Sequence, residues 1–224
     1  MRIGYVSSLL MAVASVAAAH ATLDDSALSD PAVRRVLDRD PIHICATGHA
    51  KVPFPAIAEG LTRSNLIADV QQTYARMLPA GKHPEFVILQ TSSNAYHYSN
   101  REGEESDIRE VSRRPLPPDC IRCVYHVAGR RFFGPFESVI QIDARREDAG
   151  ASGYEVNVYA YPDVTVARFL ARHLPFVETY FRRKTREIVG LVSEIVKANV
   201  AEHQARAAAQ ALAAAGDSGK AMPK

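Results

Sequence analysis

Six strand-like segments follow one another in the middle of the chain, and this run restricts the fold more than any other feature. The segments are 85–92, 95–100, 106–113, 120–128, 132–144 and 153–161. Short connections such as "REGEE" and "PLPPD" separate them. Parallel neighbours need a crossover of about a dozen residues or more, so short connections predict antiparallel pairing. We therefore expect an antiparallel sheet whose simplest order is a meander.

One further strand and two helices precede this run. The stretch "IHICATGHAKV", residues 42–52, alternates apolar and polar residues, and period two predicts a strand. Two prolines end it, and "AIAEGL" then predicts a short helix. The segment "SNLIADVQQTYARML" begins with a capping serine, Ser64, and continues with apolar residues at helical spacing, which predicts a second helix.

A long helix is predicted after Pro162, where the last strand ends. Plotted at about 100° per residue, its apolar residues form one stripe and its basic residues lie opposite, so one face is suited to a core and the other to water. The apolar stripe consists of Val177, Tyr180, Phe181, Ile188, Leu191, Val192 and Ile195, and the polar face of Arg182, Arg183, Arg186, Ser193 and Lys197. The Ala-rich residues 201–224 predict a partly disordered tail.

The first 21 residues have the pattern of a secretory signal peptide. Arg2 supplies the positive charge, an apolar run follows, and small residues mark a cleavage site after Ala21, with cleavage after Ala19 as the alternative. No cysteine follows to accept a lipid anchor, so we expect a periplasmic or secreted protein. Residues 22–41 then predict a peripheral arm with one short helix, capped by Ser29 or Asp30 and with Pro31 in its first turn.

Charge and hydropathy argue against two classes of protein, those that bind nucleic acid and those that span a membrane. The net charge is +2, and basic residues are scattered among acidic ones, which gives no basic face for nucleic acid. After the signal peptide, no stretch approaches the roughly 20 apolar residues that a spanning helix needs. With 47% hydrophobic and 23% charged residues, the chain has the composition of one ordinary globular domain.

Three cysteines, Cys45, Cys120 and Cys123, remain after cleavage. The last two form a CxxC motif, but a redox CxxC opens a helix, whereas this one follows "RPLPPD" and runs into the strand-like "VYHV". A structural disulfide between Cys120 and Cys123 and unpaired thiols are therefore the two alternatives.

Histidine patterns give little support for metal binding or catalysis. His43, Cys45 and His49 share one face of the first strand, but positions 43 and 49 are too far apart along an extended strand to hold one zinc ion. The sequence has no G-x-S-x-G motif, and His97 and His126 are the general acid or base candidates. We therefore expect neither a metal nor a cofactor, and a binding protein is favoured over an enzyme.

The order of elements resembles that of the START-like superfamily of helix-grip proteins, which includes Bet v 1-like proteins and polyketide cyclases. "KVPFPAIAEGL" is similar to the family's strand-to-helix passage, and "GPFESVIQIDA" followed by "GYEVNVYAYPD" is similar to its last two strands. The resemblance covers about residues 42–200. It implies an α+β helix-grip fold in which a curved antiparallel sheet of about seven strands, in the order β-α-α-β6-α, packs around the C-terminal helix with an apolar cavity between them.

Members of this superfamily bind sterols, lipids, polyketides and aromatic compounds, and they include carriers and enzymes. The resemblance therefore implies a secreted carrier for a hydrophobic ligand. A cyclase-like or hydrolytic enzyme using the same cavity is one alternative, which two titratable side chains within hydrogen-bond reach would favour. Another is an envelope interaction protein whose Arg182, Arg183 and Arg186 contact anionic lipid or a partner.

The candidate ligand residues come from the strands and from the last helix. They are Tyr96, Tyr98, Tyr125, Tyr154, Val177, Tyr180, Phe181, Lys184 and Ile188. Aromatic residues in strands commonly serve packing, although hydroxyls in an apolar wall can also orient a ligand. Lys184 projects onto the apolar stripe, where a buried ammonium without a partner would be costly. It therefore reaches water at the rim, pairs with a carboxylate of the sheet, or meets a ligand carboxylate or phosphate.

Overall fold

A computed structural model describes residues 23, 25–62, 66–131, 134–148 and 150–165 and five further helical positions, 179, 183, 194, 197 and 198. The elements are α1 (Asp25–Leu28), α2 (Pro31–Leu37), β1 (Ile42–Ala50), α3 (Phe54–Thr62), α4 (Leu66–Met77), β2 (Phe86–Ser92), β3 (Ala95–Asn100), β4 (Glu105–Leu116), β5 (Cys120–Arg131), β6 (Gly134–Arg146) and β7 (Ser152–Pro162). The predicted order of strand, two helices and six strands is confirmed. None of the described helices has the length and apolar character that crossing a bilayer requires.

The seven strands form one antiparallel sheet in the order β1-β7-β6-β5-β4-β3-β2. Strands β2 to β7 are the predicted meander, and β1 adds to it beside β7, with Ile44 opposite Val158. Helices α3 and α4 carry the chain from β1 to β2 at the opposite edge. There the Gln71 side chain donates to the Phe86 carbonyl at 3.3 Å and accepts from the Ile88 amide at 3.2 Å, so an amide side chain binds backbone groups of the edge strand.

The sheet has two differently covered faces, because successive side chains of a strand point to opposite sides. On the first, Phe54, Ile57 and Leu61 of α3 pack against Ile121 and Cys123 of β5. We call this the α3 face, and the opposite one the α2 face.

The N-terminal arm covers the α2 face, and the prediction that it is peripheral is wrong. Ala27, Val33 and Val36 are completely buried in a cluster that includes Val124 and Val139 of the sheet. The apolar residues of α2 are spaced to face one side, and the sheet supplies the apolar surface that covers them.

Asp30 both caps α2 and ties it to the sheet. Its Oδ1 accepts from the amides of Ala32 at 2.9 Å and Val33 at 3.3 Å, which confirms Asp30 as the capping residue. The Arg109 guanidinium donates to both carboxylate oxygens, at 2.8 and 2.9 Å. The hydrogen bonds from Arg109, together with those from the two amides, outweigh the effect of burial and lower the pKa of Asp30 to about 2.

None of the three cysteines forms a disulfide, so the alternative of a Cys120–Cys123 bond is wrong. The two residues lie three positions apart in β5, where Cys120 pairs with Arg145 and Cys123 with Ile142. Residues separated by an odd number of positions in a strand point to opposite faces, and their side chains cannot meet.

Truncation of the arm tests whether it belongs to the core. Val36→Ala is expected to lower the free energy of unfolding by about 2 kcal/mol, because it removes buried methyl groups and leaves a cavity. Chemical denaturation followed by circular dichroism measures this. Asp38→Ala, a change at an exposed position two residues away, is the control; equal stabilities of the two variants would show that the arm is peripheral.

The Asp30–Arg109 pair should make stability depend on pH. The folded pKa of about 2 lies below the usual unfolded value of about 3.9, so ionised Asp30 contributes stability above that value, and the contribution is lost as pH falls toward 2. The Tm of Asp30→Asn is therefore expected to lie below that of the wild type at neutral pH and to approach it in acid. Asp38→Asn controls for the loss of a carboxylate, and a difference in Tm that stays constant with pH would contradict this assignment.

Candidate functional site

The four predicted strand tyrosines all lie on the α3 face. The register aligns Tyr96 with Ile108 and Val127, and Tyr125 with Ile140, which packs against α3-face residues. Tyr96 is 1% exposed and Tyr125 6%.

Tyr98 and Tyr154 are only half-buried on this face. The hydroxyl of Tyr154 occupies the space where a β-carbon at residue 48 would lie, so Gly48 on β1 makes room for that ring. Tyr154 therefore serves packing near the β1 edge, away from the other three tyrosines.

An ion pair between Glu110 and Arg113 lies beside Tyr96 and Tyr125, and sequence analysis did not select it. Arg113 Nη2 donates to a Glu110 carboxylate oxygen, and the two side chains are only 13% and 18% exposed. Glu110 lies opposite Tyr125 and Arg113 opposite Cys123 in the β4–β5 register. We call Tyr96, Glu110, Arg113, Cys123 and Tyr125 the polar cluster.

A β-bulge in β4 creates this cluster. Glu110 pairs with Tyr125 and Ser112 with Val124, so Val111 is an extra residue on β4. Val111 packs with the cluster on the α2 face, and strand alternation resumes after it. In a regular strand, residues 110 and 113 would point to opposite sides; the bulge turns both to the α3 face.

The polar cluster is set up for hydrogen bonding. Burial raises the pKa of Cys123 to about 12 and raises the pKa of Tyr125 well above its usual range; burial also raises the pKa of Tyr96. Burial opposes the charge of Arg113, but the hydrogen bond with Glu110 and nearby negative charge outweigh it, so the pKa of Arg113 is raised. At neutral pH the cluster thus offers guanidinium, phenol and thiol donors beside one carboxylate acceptor.

Tyr98 belongs to a second polar group on the same face. Arg131 Nη1 donates to Glu104 Oε2 at 2.6 Å and to the Tyr98 hydroxyl at 3.4 Å. Its guanidinium lies over the rings of Tyr98 and Phe136, 4.7 and 5.7 Å from their centroids. Cation–π contact and the ion pair together hold this arginine on the α3 face.

The helical half of the predicted site lies outside the described residues. This applies to Val177, Tyr180, Phe181, Lys184 and Ile188, and also to Arg182 and Arg186. Arg183 is described, and it is exposed, as the predicted polar face of the helix requires.

The first-strand residues considered for zinc have separate partners. His43 Nε2 lies 2.9 Å from Asn157 Oδ1, and His49 Nδ1 lies 2.6 Å from Glu147 Oε2. Within the described part of the chain, no three His, Cys, Asp or Glu side chains come together as a metal site.

The two histidines considered as general acids or bases lie on the α2 face. His97 contacts Asp107, with Nδ1 2.9 Å from Oδ1. His126 is 8% exposed and pairs in register with Arg109, and burial lowers its pKa. Both imidazoles are therefore separated from the polar cluster by the sheet.

No protein-family profile and no curated protein matches this sequence. Among solved structures, a conserved protein from Geobacillus kaustophilus is similar, with TM-score 0.46, 11% identity, and coverage of 72% of this chain and 96% of that chain. Ara h 8.0201 is similar with TM-score 0.45 and 13% identity, and the match covers 70% of this chain and 98% of that chain. A norcoclaurine synthase point mutant from Thalictrum flavum, in complex with a transition state analogue, is similar with TM-score 0.43 and 9% identity. That match covers 70% of this chain and 95% of that chain. TM-scores below 0.5 support no inference about a site, so the function must be argued from this chain's own residues.

A double-mutant cycle tests the ion pair of the polar cluster. Arg113→Met is expected to lower the free energy of unfolding by about 3 kcal/mol, because it leaves a buried carboxylate without its cation. Combining it with Glu110→Leu should restore much of that loss, since an apolar pair of similar volume needs no compensation. Equilibrium denaturation of the wild type, both single variants and the double variant measures the coupling. Additive effects would show that the two side chains do not depend on each other.

Proposed function

We propose that this protein binds a hydrophobic ligand on the α3 face and acts as a carrier. The observation that supports this most directly is the placement of Glu110, Arg113, Tyr96 and Tyr125 together among apolar side chains of this face. The apolar side chains around them include Ile108, Val127, Ile140, Ile142 and Val156. Small-molecule sites commonly combine an apolar wall with a few convergent polar groups that set the ligand's orientation.

Stability alone gives little reason for this arrangement. A β-bulge interrupts the ladder between β4 and β5, and a buried ion pair costs desolvation that a pair of apolar residues would avoid. Both features lie at the same place, and the bulge is what brings the two charges to one face. A role in orienting a ligand accounts for both of them.

The remaining parts of the proposal come from the sequence. The predicted C-terminal helix would cover the α3 face with its apolar stripe, including Val177, Phe181 and Ile188, and Lys184 would lie at the rim or meet the ligand. Residues 1–21 would direct the chain to the periplasm or the exterior. Cleavage after Ala21 would retain Leu23, which is buried with the arm.

A cyclase-like or hydrolytic enzyme is the second candidate, favoured by the Glu110 carboxylate, which is hydrogen-bonded to Arg113. Glu110 would be its general base, because the raised pKa values of Tyr125 and Cys123 keep these groups neutral. The Arg113 guanidinium already donates to the carboxylate that would have to accept a substrate proton, and for this reason we place binding first.

Ligand binding is tested with the full chain. Native mass spectrometry and organic extraction of the purified protein are expected to yield a hydrophobic compound, and the delipidated protein should bind the neutral fluorescent probe N-phenyl-1-naphthylamine saturably. Ala160→Phe, which adds a ring on the α3 face, should weaken probe binding about tenfold or more. Thr47→Phe places the same ring at an exposed position of the α2 face and should leave binding unchanged. An empty protein that shows no saturable probe binding would refute the proposal.

A further inference from the structure

The charges on the α3 face of the strands are balanced within the described part of the chain. Three arginines point to this face, and each is paired with a carboxylate. The pairs are Arg113–Glu110, Arg131–Glu104 and Arg146–Asp119. Arg146 and Asp119 are about half-exposed and lie at strand ends, whereas the pair of the polar cluster is mostly buried. A ligand that reaches the polar cluster therefore meets no excess of positive charge from these residues.

An anionic ligand group would be opposed there by Glu110. A second negative charge beside Arg113 would leave two anions sharing one guanidinium, and low exposure limits the screening by water. The bulge keeps Glu110 on the same face as Arg113, so the carboxylate cannot turn to the opposite side of the sheet.

Glu110 does not repel an uncharged hydroxyl or carbonyl group of a ligand. A guanidinium has five N–H donors, more than one carboxylate can use, so Arg113 can also donate to a neutral oxygen. Glu110 can accept from a ligand hydroxyl, and the phenols of Tyr96 and Tyr125 can donate or accept.

We propose that the polar cluster selects hydrophobic ligands with an uncharged oxygen-bearing end, an alcohol, ketone or ester, and that Glu110 excludes those with a carboxylate. This inference rests on the proposed binding function and specifies its ligand class and the residue that determines specificity.

The test compares three ligands with the same alkyl chain: hexadecanol, methyl hexadecanoate and hexadecanoate. Displacement of N-phenyl-1-naphthylamine from the delipidated full chain is measured at mildly alkaline pH, where hexadecanoate is ionised. Wild-type protein is expected to bind the alcohol and the ester at least about tenfold more tightly than the carboxylate. In Glu110→Gln, which retains the shape and removes the charge, the preference is expected to fall to about threefold or less.

Asp107→Asn is the matched control, because Asp107 lies on the same strand but at an exposed position of the α2 face. It removes one negative charge from the protein, as Glu110→Gln does, and should leave the preference unchanged. If Asp107→Asn changes it as much as Glu110→Gln does, the effect is one of net charge and the inference fails.

The wild-type measurement decides the question even if Glu110→Gln does not fold. Equal affinities for hexadecanol and hexadecanoate, or a preference for hexadecanoate, would overturn this inference and leave the proposed binding function intact. If none of the three ligands displaces the probe and no hydrophobic compound co-purifies, the proposed function itself fails.

Discussion

The pairing of β1 with β7 is the contact on which the rest of the structure depends. It joins the first and the last described strands of the chain through nine aligned residue pairs, from Ile42–Ala160 to Ala50–Ser152. Because β1 lies beside the last strand, the chain must return across the α3 face to begin the meander at the opposite edge. Helices α3 and α4 make that return, and α3 buries its apolar residues against β5. The other face is left for the arm, which Asp30 and Arg109 hold in place.

The bulge in β4 determines the candidate site, as the pairing of β1 with β7 determines the fold. The extra residue, Val111, points to the α2 face. Beyond it, Arg113 points to the α3 face, as Glu110 does. The bulge thus serves both faces: it adds an apolar side chain beneath the arm and assembles an ion pair between two tyrosines. Because the same bulge positions Val111 in the core and the Glu110–Arg113 pair on the α3 face, neither charge can easily move. Charges held in one position are suited to discriminating among ligands.

Much of the fold could be predicted because the signals are local. Alternation over residues 42–52 identified β1, and short connections identified the meander. The start of α2 was likewise predicted from Pro31 after two capping candidates, Ser29 and Asp30, of which the structure shows Asp30 as the cap. The alternation rule also places Tyr96 and Tyr98 on a common face, and the same rule, applied to Cys120 and Cys123, would have excluded their disulfide. The burial of the arm could not be predicted, because the pattern of a short amphipathic helix does not indicate which surface will cover it.

The sequence by itself determined the order of the elements, the strand character of each segment and the sharing of a face by tyrosines two residues apart. These follow from backbone hydrogen bonding and side-chain alternation, which act over a few residues. Only the tertiary structure decided that β1 joins β7, that the arm is part of the core, and that Glu110 meets Arg113. Each of these depends on a partner distant in sequence: the position of the bulge is defined only by the register of β4 against β5, and strict alternation along "IREVSR" would have separated the two charges.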